Sequence, residues 1–131
     1  MKKKKLPKWV LRETVIALQE RLLAEFGGAA GIRDAGLLES ALARPENLFA
    51  YESPDLFALA GAYAFGLVRN HPFIDGNKRI GFATATLFLE LNGLILTATE
   101  ADAVIQTLAL AAGAFDEAGY AAWLKKNCRK V

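Results

Sequence analysis

The chain is expected to fold as an all-α helical bundle. Three features carry that expectation: Ala and Leu recur throughout, apolar side chains return at three- and four-residue spacing, and runs of alternating β-branched residues are scarce. At 131 residues and 53% hydrophobic content, the chain can bury one core and is too short for two ordinary domains.

The first helix is predicted from about Trp9 to Phe26, with Val10, Val15, Leu18, Leu22 and Phe26 facing inward and Arg12, Glu13, Glu20, Arg21 and Glu25 facing water. Gly27-Gly28 ends it. Gly27 to Arg33 has the glycines of a loop or small flap, after which Asp34 can cap a short helix holding Leu37, Leu38, Ala41 and Leu42. Pro45 is expected to close that helix, leaving Asn47 to Glu52 irregular. Ser53 is read as an N-cap, Pro54 as the first helical residue and Asp55 as a charge favoured by the macrodipole. The helix they start is apolar nearly all round from Leu56 to Val68, which places it at the centre of the bundle.

Pro72 biases Asn70-His71 towards a turn, so the next helix begins near Asn77 and ends at Asn92-Gly93. Thr99-Glu100-Ala101-Asp102 resembles a capping box for a helix to about Ala112. Asp116 is placed to cap a last helix carrying Tyr120, Trp123 and Leu124.

Charge is distributed unevenly. Lys2 to Lys5 and Lys8 form a basic arm over residues 1–8, expected to be flexible, ahead of a single domain over 9–131. Removing those five lysines leaves 11 basic against 14 acidic residues, a mildly acidic body that argues against a broad nucleic-acid-binding face. Cys128 is the only cysteine, so neither an intramolecular disulfide nor a cysteine zinc site can form, and a reducing cytoplasm fits best. The lysine run leads into Leu6-Pro7-Lys8-Trp9 instead of an apolar signal core, and charges or glycines interrupt the apolar stretches, so neither a signal peptide nor a membrane span is expected.

The chemistry concentrates in His71-Pro72-Phe73-Ile74-Asp75-Gly76-Asn77-Lys78-Arg79. The sole histidine, His71, is the candidate general base, because a neutral imidazole can accept a proton from a hydroxyl. The Asp75 carboxylate can bind Mg2+ that bridges nucleotide phosphates, orient a substrate, or cap the following helix. Gly76 lets the backbone curl around an oxyanion at a helix N-terminus, where free N–H groups favour phosphate. Asn77 can offer its amide to that phosphate. Lys78 and Arg79, in the first turn of a helix, oppose the macrodipole, and an anionic ligand would explain them. Phe73 and Ile74 are read as core anchors that hold the loop rigid. There is no Walker motif, no glycine-rich kinase loop and no second histidine for a two-histidine metal site.

These residues resemble the Fic/Doc superfamily, whose signature is a His-x-Phe-x-Asp/Glu loop followed by Asn and a cationic or glycine-Arg ending at a helix start. The ending Asn77-Lys78-Arg79 is similar to the Doc, or death-on-curing, branch. Nucleotidyl-transferring Fic enzymes typically have Gly-Asn-Gly-Arg there and a further arginine three residues later, where this chain has Lys78 and Phe82. The likeness extends to Phe26-Gly27-Gly28, to Gly31-Ile32-Arg33-Asp34 with Leu37 to Pro45, and to Leu89-Glu90-Leu91-Asn92-Gly93. Gln19 stands where many Doc-like proteins carry a histidine.

The resemblance implies a Fic/Doc-type bundle with the active-site loop at the N-terminus of a central helix. It implies a bacterial, cytoplasmic toxin of a type II toxin–antitoxin pair that uses ATP and Mg2+ to phosphorylate a protein hydroxyl, the target of Doc toxins being translation elongation factor Tu. His71 would then be the base and Asp75 the magnesium-linked or substrate-orienting carboxylate. Gly76, Asn77, Lys78 and Arg79 would form the phosphate grip, and Gly27 to Arg33 the flap near the target. A cognate antitoxin would fold a disordered segment onto the domain, with nucleic acid contacted only through that antitoxin. AMP transfer in the Fic manner and a catalytically idle interaction module are the alternatives.

Overall fold

The structure is a computed structural model that describes residues 5–131; Lys2 to Lys4, the first part of the basic arm, lie outside the described residues. In chain order it holds α1 (Arg12–Phe26), α2 (Ala35–Tyr51), α3 (Leu56–Asn70), α4 (Asn77–Leu91), β1 (Leu94–Leu96), α5 (Glu100–Ala112), α6 (Glu117–Lys126) and β2 (Cys128–Lys130). The architecture is all-α, as expected. The two short strands pair antiparallel, Leu94 with Lys130 and Leu96 with Cys128, and tie the C-terminal segment to the exit of α4. Among the described residues no helix is long and apolar enough to cross a membrane.

Helix α3 is the centre. Nine of its residues are buried, Leu59 to Ala64 and Gly66 to Val68, and it packs on α2, α4 and α6. Close approach needs small residues: a Cβ at Gly81 of α4 would sit 2.6 Å from Val68 Cγ2, and one at Gly66 would sit 3.1 Å from the Ala41 carbonyl oxygen of α2. Val15, Leu38, Leu59, Tyr63, Leu67, Ile80, Phe88 and Leu124 fill the core around it. Each such side chain stabilises the fold by about 1.5–3 kcal/mol relative to exposure.

The N-terminal segment joins the core before any helix starts. Trp9 packs edge-on to Phe49 and beside Phe88, and the Val10 N–H donates to the Tyr63 hydroxyl at 3.0 Å. Burial pushes the Tyr63 phenol up to about 12. That anchoring keeps Trp9 and Val10 out of α1, which begins at Arg12 and not near Trp9.

Local signals misplace two further boundaries. Pro45 does not end its helix: α2 runs on to Tyr51. Pro45 is buried with Leu38 and Ala41 on one face, and Leu48 and Phe49 continue the packing against the core, so tertiary burial outweighs the missing N–H. Asp55, and not Ser53, caps α3, its carboxylate accepting from the Ala58 N–H at 2.8 Å. Asp34, Thr99 and Asp116 cap α2, α5 and α6 as expected.

Candidate active site

Helix α3 ends at His71, which adopts φ 54°, ψ 52°, among the described residues the only non-glycine with positive φ. The left-handed region is uncommon for a side-chain-bearing residue and is held here by its surroundings. The chain then crosses Pro72 to Gly76 and enters α4.

Phe73 is buried at 2% exposure and packs into the core. Ile74 does not: it is 46% exposed, because successive side chains of this extended stretch point to opposite sides and Phe73 has taken the inner one. Asn77 closes the loop upon itself, its Oδ1 accepting from the Phe73 N–H and its Nδ2 donating to the Phe73 carbonyl, both at 2.9 Å. At 3% exposure its amide is turned inward, so what Asn77 presents at the helix start is its backbone N–H.

The N-terminus of α4 has no side-chain cap. Gly76, at φ 79°, is its N-cap and supplies no side-chain acceptor. The first intrahelical bond runs from the Ile80 N–H to the Gly76 carbonyl, so the N–H groups of Asn77, Lys78 and Arg79 precede the hydrogen-bond ladder. Around them His71, Asp75, Lys78 and Arg79 are all exposed. The Arg79 guanidinium lies 4.5 Å from the centroid of Phe26. Phe26, assigned to the buried face of α1, is 53% exposed and serves as the stacking surface for that cation.

The flap residues run alongside. Ile32 and Phe73 form an antiparallel bridge, the Ile74 N–H donates to the Gly31 carbonyl, and the Arg33 and Asp34 N–H groups both donate to the Pro72 carbonyl. Asp75 Oδ2 accepts from the Ala29 N–H at 2.7 Å. Two side chains outside the expected site grip the loop. Arg33 donates through Nε to the His71 carbonyl at 2.7 Å and through Nη2 to that of Asn70 at 3.0 Å. Gln19 donates to the Asp75 carbonyl from α1. The sequence signal for Gln19 is a polar residue four positions after Val15 on a buried helix face; Arg33 is reached in sequence only as the last residue of the flap, with nothing to mark its grip on the loop.

The side chains of His71, Asp75, Lys78 and Arg79 are open to solvent. Two surface hollows of about 580 and 700 Å³ lie away from the loop, one lined around Arg44, Glu117 and Ala121 and the other around Leu6, Phe57 and Cys128. Among the described residues no three His, Cys, Asp or Glu side chains converge on a point, so a metal cage made wholly of protein does not fit. A Mg2+ held by Asp75 together with phosphate oxygens and water does fit, because the exposed carboxylate spends one oxygen on Ala29 and keeps the other.

The profile of the Fic/DOC family matches residues 9–89, which covers α1 to α3, the loop and most of α4. The chain belongs to the Fic/DOC family. It is 44% identical over 75 residues to "Toxin Doc" of Mycolicibacterium smegmatis, a stretch that is 56% of this chain and 58% of that protein. It is 37% identical over 83 residues to "Protein kinase doc" of Escherichia phage P1, covering 63% of this chain and 66% of the relative. The chain thus spans about three-fifths to two-thirds of the length of the curated relatives it matches. The Fic/DOC match includes the whole candidate site and leaves β1, α5, α6 and β2 outside.

Proposed function

We propose that this protein is a Doc-like toxin that transfers the γ-phosphoryl group of ATP to a hydroxyl of a protein target, in the cytoplasm, and is restrained by a cognate antitoxin. The observation that carries the reading is the uncapped N-terminus of α4, with two cations in its first turn, beside exposed His71 and Asp75. The similarity to relatives named as a Doc toxin and a Doc protein kinase supports it. Elongation factor Tu is the target proposed, with arrest of translation as the consequence.

In this reading the backbone N–H groups at Asn77 to Arg79 and the charges of Lys78 and Arg79 hold the phosphate oxygens. His71 accepts the proton of the target hydroxyl as its oxygen bonds to the γ-phosphorus; the bond from that phosphorus to the β–γ bridging oxygen breaks and ADP leaves. Asp75 would hold Mg2+, which when bound neutralises charge on the phosphate oxygens. Phe73, Asn77 and the flap keep these groups fixed, and positioning with preorganised charge is most of what a protein adds to phosphoryl transfer. Phe82 packs partly buried against the core and brings no charge to hold a nucleotide for attack at the α-phosphorus.

The test incubates the purified chain and a His71→Ala variant with bacterial extract, Mg2+ and ATP labelled separately at the γ- and α-phosphorus. Label from the γ position that depends on His71 and appears on elongation factor Tu is the expected result. Protein-bound α-label would replace this reading with AMP transfer, and no label from either, with folding checked by circular dichroism, would leave a binding module.

A further inference from the structure

The loop carrying His71 and Asp75 is gripped at its two ends by side chains from distant parts of the chain. At the first end, the Arg33 guanidinium spans the carbonyls of Asn70 and His71, the terminal groups of α3. A planar fork reaches both; an ammonium group supplies charge without that geometry. His71 keeps its left-handed backbone between this fork and the two N–H groups on the Pro72 carbonyl.

At the second end, Gln19 is buried at 3% exposure, and its Nε2 donates to the Asp75 carbonyl. Its Oε1 is buried and finds no partner among the described residues. An orphaned amide oxygen is unfavourable, and Leu or Met would fill the same apolar face of α1 without one, so stability alone does not account for a glutamine here. The amide also lies against Gly76, where an added Cβ would come within 3.1 Å of Nε2. Gln19 therefore supports the turn that delivers the chain to the anion-binding end of α4.

We propose that Gln19 and Arg33 are the positioning residues of this site, a two-ended clamp that sets the aim of His71 against that of Asp75 and the α4 N-terminus. Neither reaches the transferred group; each acts through a loop carbonyl. The inference rests on the transfer reading above.

The experiment measures kcat and KM for ATP, melting temperature and amide hydrogen exchange for Gln19→Met, Gln19→Leu, Arg33→Lys and the Gln19→Met/Arg33→Lys pair. It uses whichever label the unmodified chain transfers. Displacement of about 1 Å costs roughly 100-fold in rate, so kcat is expected to fall about 10- to 100-fold in each single variant, with KM within about 3-fold and the Gln19 variants melting within about 3 °C of the parent. Exchange at the Phe73 and Ile74 amides should quicken while that in α3 does not. An unchanged kcat, or a fall that only follows lost folded protein, overturns the clamp. If the unmodified chain transfers neither label, the transfer reading has failed by itself, and the exchange measurement still decides the clamp: unaltered Phe73 and Ile74 exchange in both Gln19→Met and Arg33→Lys overturns it.

Discussion

The two ends of α4 are finished in opposite ways. At its C-terminal end Asn92 answers nearly every local demand: Nδ2 donates to the carbonyls of Phe88 and Lys8, Oδ1 accepts from the Lys8 N–H, and the Gly93 N–H returns to Glu90. About 22 Å away, by the rise of a 15-residue helix, the N-terminal end has no side-chain cap and carries Lys78 and Arg79 against the macrodipole. Asp34, Asp55, Thr99 and Asp116 cap four of the other helices, while α1, entered from Leu11, has no side-chain cap either. On the proposed reading the incomplete end is completed by a bound anion, whereas the complete end serves the fold.

The strongest way to break that comparison is to remove an asparagine at each end. Asn77→Ala leaves the buried Phe73 N–H and carbonyl without partners, which should cost about 2–4 kcal/mol in urea unfolding and abolish transfer, because the loop loses its internal closure. Asn92→Ala strips bonds that are largely exposed, and should cost about 1–2 kcal/mol and leave kcat where it was. Equal losses of activity from the two variants would sink the assignment of separate roles to the two ends.

How much of this was legible in sequence depends on how far apart the partners lie. Asp34, Thr99 and Asp116 bond N–H groups three residues on, so their caps could be read locally. Ser53 and Asp55 are both capable of capping, and only the packing of α3 decides between them. At Pro45 the proline's local effect is plain in sequence, while the face it shares with Leu38 and Ala41 is seen only once α3 is in place. In the candidate site, the motif His71 to Arg79 can be picked out because its residues are contiguous. Gln19 and Arg33 act on carbonyls 56 and 38 residues away, a distance across which no periodicity or capping rule reports. Phe26 and Ile74 are expected inside because apolar side chains usually are; in the fold Phe26 lies under the Arg79 guanidinium and Ile74 lies against Gly31.

A smaller effect sharpens the comparison through sign. Lys78→Gln removes a cation from the positive end of α4 and should stabilise the ligand-free fold by about 0.3–1 kcal/mol. Arg79→Gln gains a similar amount and loses its stacking on Phe26, worth about 0.5–1 kcal/mol, so its net change should be near zero. Both variants should bind ATP more weakly in calorimetry, at least several-fold. Destabilisation of the ligand-free chain by Lys78→Gln would mean that this end is not held open for an anion.

The smallest expected effect lies in α5 and α6, outside the matched family region, where stability and transfer should be uncoupled. The Asp102 carboxyl is held below its ordinary range, first by the Trp123 Nε1–H bond and then by Gln106, with partial desolvation opposing them. A carboxyl depressed in the folded state binds its proton more weakly there than in the unfolded chain. Its contribution is therefore present above the unfolded value of about 3.9 and is lost as pH falls through the lower folded value. In thermal unfolding followed from pH 6 to pH 3, Asp102→Asn should flatten the acid limb of stability and leave transfer at neutral pH unchanged. The 2.8 Å bond to Trp123 ties α5 to α6, and among the described residues neither helix makes a side-chain hydrogen bond to the loop His71 to Arg79, so a change in kcat with Asp102→Asn would show that the second half of the chain helps to shape the site.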